Sequence, residues 1–304
     1  MTPLHRRHGV QAIVGQRIDG ESVVEDACWV AEERPLTIDV EGVGAYTLMW
    51  TPTAPMELPC GFTPADGVLT GNDVLDGDEV AEALALAAGF AFTEGLLASV
   101  DDIRGLSICP RDSEVVRLTL ADPGRAQVRR RNVVIGSSCG ICGGRERIDD
   151  VTRGIRLVDD SLRLDSTRLE TIMATLRRRQ AVWLATGGTH AAAIFDGGGR
   201  ILALFEDLGR HNALDKAIGH CLLSRAPLAG CGAALTSRVT LEMATKAARA
   251  GLELVAAVSA ASTLAIEVAD RFGVTLCGFV RNGRATAFSH GHRLQVDSAR
   301  ACGA

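Results

Sequence analysis

Apolar and polar positions give the chain two textures. Over residues 11–49 they alternate as in strands. Gln11-Ala-Ile-Val-Gly-Gln-Arg-Ile predicts one strand, Cys28-Trp-Val-Ala and Pro35-Leu-Thr-Ile-Asp-Val predict a second pair, and Ala45-Tyr-Thr-Leu-Met-Trp follows a hairpin-type turn at Glu41-Gly-Val-Gly44. Four prolines and a Gly/Asp-rich run then mark residues 51–80 as a long insert. Residues 78–97 predict a helix, with Asp78 as its cap, Glu79 and Glu82 favouring its N-terminal dipole, and Gly89 and Gly95 weakening it. Val115-Val-Arg-Leu-Thr-Leu alternates as a strand, and Gln127-Val-Arg-Arg-Arg-Asn-Val-Val-Ile135 is a strand-like run.

The second texture begins with a helix over residues 166–180, capped by Ser166. Strands are expected at Ala181-Val-Trp-Leu-Ala-Thr186, His190-Ala-Ala-Ala-Ile-Phe-Asp196, Ile201-Leu-Ala-Leu-Phe-Glu206, Gly232-Ala-Ala-Leu-Thr, Leu254-Val-Ala-Ala-Val-Ser, Val274-Thr-Leu-Cys-Gly-Phe-Val and Arg284-Ala-Thr-Ala-Phe. Helices are expected over residues 212–223, 239–250 and 263–272. Buried strands alternating with amphipathic helices argue for a three-layer α/β domain. The fold class is thus α/β (α+β overall). Four regions follow: a disordered tail at 1–10, a smaller β-rich N-terminal domain at 11–135, a mobile CxxC loop at 136–150, and the α/β domain at 151–304.

Composition narrows the function classes. The 304 residues are 47% hydrophobic, enough for a large core, and the net charge of −5 gives no global argument for a nucleic-acid or membrane partner. Aromatics are only 4%, too few for obvious single-strand stacking platforms. No run approaches the roughly 20 apolar residues of a membrane span, and the basic N-terminus lacks the apolar region of a secretory signal. Nine scattered cysteines, an odd number, fit a reducing cytoplasm rather than a disulfide scaffold.

The exception among the cysteines is Ile135-Gly-Ser-Ser-Cys139-Gly-Ile-Cys142-Gly-Gly-Arg145, two thiols on a glycine-rich stretch. Three readings stand. A zinc site would want further ligands, and no second CxxC exists. A thioredoxin-like disulfide would want a helix to open at the motif, which two glycines disfavour. A nucleophilic carrier loop would profit from flexibility, with Arg129, Arg130, Arg131 and Arg145 available to stabilise a thiolate or to form a solvated charge run. Glu206-Asp-Leu-Gly-Arg210-His211-Asn212 is a polar cluster between a strand and a helix, where α/β sheets place ligands. Thr186-Gly-Gly-Thr-His190 has neither P-loop nor dinucleotide spacing and reads equally as a backbone turn. Thr236-Ser237-Arg238 and Ser259-Ala-Ala-Ser-Thr263 are strand–helix junctions that either hold phosphates or cap helices. Phe279-Val280-Arg281-Asn282-Gly283-Arg284 is a tight turn with two arginines, suited to phosphate or simply exposed.

Taken in order, several of these segments resemble the formate dehydrogenase accessory sulfurtransferases, the FdhD/NarQ family. They are Ser-Ser-Cys139-Gly-Ile-Cys142-Gly, Gly187-Gly-Thr-His-Ala-Ala, Glu206-Asp-Leu-Gly-Arg-His-Asn-Ala-Leu-Asp-Lys216, Ser237-Arg-Val-Thr-Leu-Glu-Met-Ala and Phe279-Val-Arg-Asn-Gly-Arg284. Val30-Ala-Glu-Glu-Arg-Pro-Leu-Thr-Ile and Gly89-Phe-Ala-Phe-Thr-Glu-Gly-Leu-Leu extend the likeness to the N-terminal half. The resemblance implies a cytidine-deaminase-like α/β domain without zinc chemistry, and a homodimer. It implies a cytoplasmic protein that takes persulfide sulfur from a cysteine desulfurase and passes it to the bis-guanine-dinucleotide molybdenum cofactor (Mo-bis-MGD), which is not permanently bound, for delivery to formate dehydrogenase. Cys139 is then the persulfide carrier, Cys142 its assistant, and Phe279 to Arg284 the cofactor-binding turn. Arg281, Arg284 and the junction at Ser237 and Arg238 are expected to meet guanine phosphates, with Arg210 and His211 at the metal end. The chain departs from the family where the insert separates Thr51-Pro52 from Ala88-Gly89-Phe90. A non-catalytic cofactor chaperone and a CxxC redox enzyme are the rival readings.

Overall fold

A computed structural model describes residues 8–53, 77–125 and 148–295, with side chains of the helix that starts at Gly77 described from Ala81 onward. In chain order the elements are β1 (Val10–Asp19), β2 (Ser22–Ala31), β3 (Arg34–Val40), β4 (Gly44–Trp50), α1 (Gly77–Thr93), β5 (Ile103–Cys109), β6 (Asp112–Leu120), α2 (Ile148–Val151), β7 (Leu164–Asp165), α3 (Ser166–Arg178), α4 (Ala181–Thr186), β8 (His190–Phe195), β9 (Ile201–Asp207), α5 (Arg210–Leu223), β10 (Gly232–Leu235), α6 (Leu241–Arg249), β11 (Leu254–Ala257), α7 (Thr263–Phe272), β12 (Thr275–Arg281), β13 (Arg284–Ser289) and β14 (Leu294–Gln295). The expected tail is described only from His8, and by Val10 the chain is already buried.

Strands β8, β10 and β11 are almost uniformly apolar, so both of their faces must be covered. They form the middle of a six-stranded sheet ordered β13-β12-β11-β10-β8-β9. Parallel pairing joins β10, β11 and β12, and the outer neighbours run antiparallel. One apolar cluster, with Leu169, Ile172, Met173 and Leu176, seats α3 on one face. A larger one seats α5, α6 and α7 on the other, which gives the three layers expected. The same cluster continues through α1 into the sheet β4-β3-β6-β5, so the β-rich region and the α/β region share a core.

Helix α1 runs through Gly89, a weak point by helix propensity alone. The glycine is there because α1 and α5 cross backbone to backbone. A Cβ on Gly89 would overlap the Asp215 carbonyl, and one on Gly219 the Ala85 carbonyl. Three further local expectations are corrected. Residues 181–186 form α4 rather than a strand, because the Glu206 carboxylate accepts hydrogen bonds from the Val182 and Trp183 amides, each at 2.9 Å, and Gly187 closes the helix in the left-handed region. Asp165, not Ser166, caps α3 by accepting from the Thr167 amide at 2.7 Å. The strand containing Cys28 pairs with β1 over its whole length, because the chain reverses at Gly20 (φ 57°); β3 instead pairs with β4 and, in parallel, with β6.

Candidate anion-binding site at the strand ends

The Glu206–Lys216 segment divides into an inward and an outward set. Lys216 is fully buried, with its Nζ 2.8 Å from Glu82 and 2.7 Å from Asp207, and it donates to the carbonyls of Thr51 and Glu206 at 2.6 and 3.0 Å. Burial pulls its pKa down, but Asp207 and Glu82 outweigh that and hold it above the ordinary lysine value. Asp207 also accepts from the amides of Thr51 and Gly209, and Asn212 donates to Met49 O at 2.7 Å. Asp215 holds Lys246 at 2.8 Å. These groups fasten α5 to β4, α1 and α6, so most of the polar cluster singled out in the sequence is structural.

Arg210 and His211 are the outward set. They begin α5, whose N-cap Gly209 supplies no side-chain cap. His211 Nε2 lies 2.9 Å from Glu242 Oε2 in the first turn of α6, whose N-cap Thr240 likewise makes no cap bond. The Glu242 carboxyl is held below its usual range, chiefly by that histidine. Arg210 Nε and Thr240 Oγ1 are buried atoms without a hydrogen-bond partner among the described residues. His190, at the start of β8, completes the group. Its pKa is lowered, first by burial and then by Arg210, Arg238 and His211 around it. Two uncapped helix N-termini, two guanidinium groups and two imidazoles thus converge where β10 ends. The sequence gives His190 as the start of a strand after a turn of open meaning and gives no separate signal for Glu242; what joins them is legible only once β8, α5 and α6 are adjacent.

The junction loops continue this edge. The Ser237 hydroxyl donates to Arg238 O at 3.0 Å, and Val239 N to Ala260 O at 3.0 Å. Ser262 caps α7 by accepting from Ala265 N, so that junction is a helix cap. Phe279 N donates to Ser259 O at 3.1 Å, which brings the last turn, Phe279 to Arg284, onto the same carboxyl edge of the sheet as Arg238. Strands about 4.8 Å apart put β12 about 10 Å from β10. The structure therefore brings Arg210, His211, Ser237 and Arg238 together and sets Phe279, Val280, Arg281, Asn282, Gly283 and Arg284 two strands away. Phe279 has φ 55°, an uncommon backbone for a bulky residue; it is 43% exposed, and its ring meets Phe288 edge-on. A cavity of about 400 Å³ at this turn is lined by Leu169, Met173 and Val280 together with Glu170, Arg177, Arg281 and Arg284. Apolar side chains beside fork-shaped donors suit a heterocycle bearing phosphates. Cys139 and Cys142, and the arginines flanking them, lie outside the described residues.

One consequence is measurable. An anion held by Arg210 and Arg238 offsets the charges that now depress His190, so the His190 pKa is expected to rise when pyrophosphate binds. A proton NMR titration of the His190 ring with and without pyrophosphate checks this, and an unchanged value would mean that the anion does not reach the cluster.

The fold is α/β, and the carboxyl ends of its sheet strands carry Arg210, His211 and Arg238 at one end of the edge and Arg281 and Arg284 two strands away. The model of the FdhD/NarQ family matches residues 79–295, and the chain belongs to that family. It is 39% identical over 271 residues, 87% of each chain, to the sulfur carrier protein FdhD of Bordetella bronchiseptica, and 35% identical over 267 residues to that of Thermoplasma acidophilum, with 87% of this chain and 86% of the relative covered. The crystal structure of a candidate formate dehydrogenase accessory protein from Desulfotalea psychrophila superposes with a TM-score of 0.70 at 20% identity, covering 94% of this chain and 99% of that one; it supports the fold.

Proposed function

We propose that this protein is a sulfur carrier in the maturation of formate dehydrogenase. The observation that carries the reading is the likeness, over most of both chains, to relatives named sulfur carrier protein FdhD. In the finer reading, Cys139 as thiolate attacks the terminal sulfur of a cysteine desulfurase persulfide. One S–S bond forms as another breaks: Cys139–S⁻ and R–S–SH give Cys139–S–SH and R–S⁻ with no net oxidation. Cys142 assists release or protects the carrier. The acceptor is the bis-guanine-dinucleotide molybdenum cofactor, bound as substrate. Its guanine ends and phosphates fit the slot and arginines near Phe279 to Arg284, and Arg210, His211 and Arg238 receive the other end. The spread of the cationic groups along the strand ends, rather than in one pocket, supports a long ligand.

The rival reading is a cofactor chaperone that carries no sulfur, and it draws on the fact that the described site is built of binding groups. Formate dehydrogenase activity in cells that carry Cys139→Ala, Cys142→Ala or both separates the two. A sulfur carrier loses activation with Cys139→Ala. Full activation by the double variant would leave only the chaperone reading.

A further inference from the structure

Helix α3 turns one stripe of side chains into the cavity at the Phe279–Arg284 turn. Ser166, Leu169, Glu170, Met173, Ala174 and Arg177 follow the three- and four-residue spacing of one helix face, and all of them line the cavity. Leu169 and Met173 are buried in the core, so their positions are fixed by packing. Glu170 and Arg177 are exposed, and Glu170 is the one acid among the lining residues. The Glu170 carboxylate reaches the turn: a Cβ on Gly283 would stand 3.7 Å from its Oε2. Among the described residues no ion pair ties Glu170 to Arg177, Arg281 or Arg284, so both of its oxygens stay available to accept. Arg177 lies two helical turns further on, about 10 Å along the axis. It precedes α4, whose first amides are held by Glu206 at the end of β9. The stripe therefore has an acidic end at the turn and a basic end toward the edge that carries Arg210, His211 and Arg238.

We propose that Glu170 is the residue that selects guanine: its two oxygens accept from the N1–H and the N2 amino group of a base seated against Leu169, Met173 and Val280. This rests on the reading of the slot as the guanine end of the site. The chemistry selects the base. An ionised carboxylate only accepts hydrogen bonds. Guanine presents two adjacent donors along one edge. Adenine and cytosine set a ring-nitrogen acceptor beside their amino group, which would meet a carboxylate oxygen lone pair to lone pair. The single N–H of uracil is flanked by carbonyls. Two parallel bonds to one carboxylate add geometric selectivity to strength. The same charge sets the direction. Phosphates are repelled by Glu170 and drawn to Arg177, so the nucleotide lies with its base at the turn and its phosphates toward the edge cluster. Arg281 and Arg284, which pair across the turn, flank that path. A ligand that continues from this slot to Arg210, His211 and Arg238 must run the same way.

Titration calorimetry of the full chain with free nucleoside diphosphates tests this. GDP is expected to bind most tightly, inosine diphosphate, which lacks only the N2 amino group, about tenfold less tightly, and ADP more weakly than either. Glu170→Gln should weaken GDP at least about tenfold and close most of the gap between GDP and inosine diphosphate. Glu170 is exposed and holds nothing in the core, so the thermal melt of this variant should not move. Arg284→Met should instead weaken all three nucleotides alike, because it acts on their phosphates. The two ways of failing are distinct. GDP binding that needs Arg284 but ignores Glu170→Gln, or ADP that binds as tightly as GDP, overturns the role of Glu170 and leaves the slot a nucleotide site. Binding of none of the three overturns both the role and the reading of the slot.

Discussion

Lys216→Met is expected to destabilise the fold by about 3–5 kcal/mol, the cost of removing one partner from a buried ionic cluster. Methionine fills much of the lysine's volume, so little of the effect is cavity. What remains is two carboxylates, Glu82 and Asp207, both fully buried beside each other, the Thr51 carbonyl without its lysine donor, and the Glu206 carbonyl with only the Thr53 hydroxyl at 3.3 Å. The ring of Trp50, 5.0 Å from Nζ, loses its cation as well. At roughly 2–4 °C per kcal/mol for a chain of this order, the melting temperature should fall by about 6–20 °C. Arg210→Met, six residues earlier in the same motif, is the control. Its side chain is half-buried and holds no carboxylate in the core, so no buried charge is left unpaired and its melt should move far less than that of Lys216→Met. Equal shifts in the two variants would refute the division of the motif into a structural and a ligand-facing half.

That division shows what the sequence made legible. Alternation of apolar strands with amphipathic helices gave the α/β class, because a strand covered on both faces leaves a continuous apolar run. The hairpin at Asn282-Gly283 was legible for a similarly local reason, since both residues adopt positive φ there. Residues 181–186 misled because Ala-Val-Trp-Leu-Ala-Thr fits a strand locally. The helix depends on a carboxylate, Glu206, supplied from a neighbouring strand. Gly89 misled for the same kind of reason: its cost to the helix is local, and its use, the close crossing with Gly219, involves a helix far away in sequence. In the ligand edge, Arg210, His211 and Arg238 stood out as polar residues at strand–helix junctions. His190 and Glu242 did not, because one histidine at the start of an alanine strand and one glutamate in a first helical turn are ordinary until β8, α5 and α6 meet. The segment at Cys28 was legible as a strand, but its partner was misassigned, because the short turn at Gly20 competed with the stronger hydrophobic signal of Pro35 to Val40.

Cys139 bears the central claim. Its thiolate is the nucleophile that the carrier reading requires, and the buried thiols are poor alternatives. Burial pushes Cys221 and Cys277 up to about 12, and Cys231 to about 11, where almost no thiolate exists at neutral pH. Cys28 is exposed on β2. Sulfur uptake is therefore expected to concentrate on the CxxC pair rather than spread over nine thiols. The most direct measurement is intact-protein and peptide mass spectrometry after incubation with a cysteine desulfurase and cysteine. The expected result is a gain of about 32 Da, one sulfur atom, on the peptide that holds Cys139, removed by dithiothreitol and absent from Cys139→Ala. No gain in the wild type, or a gain of the same size in Cys139→Ala, would contradict the account.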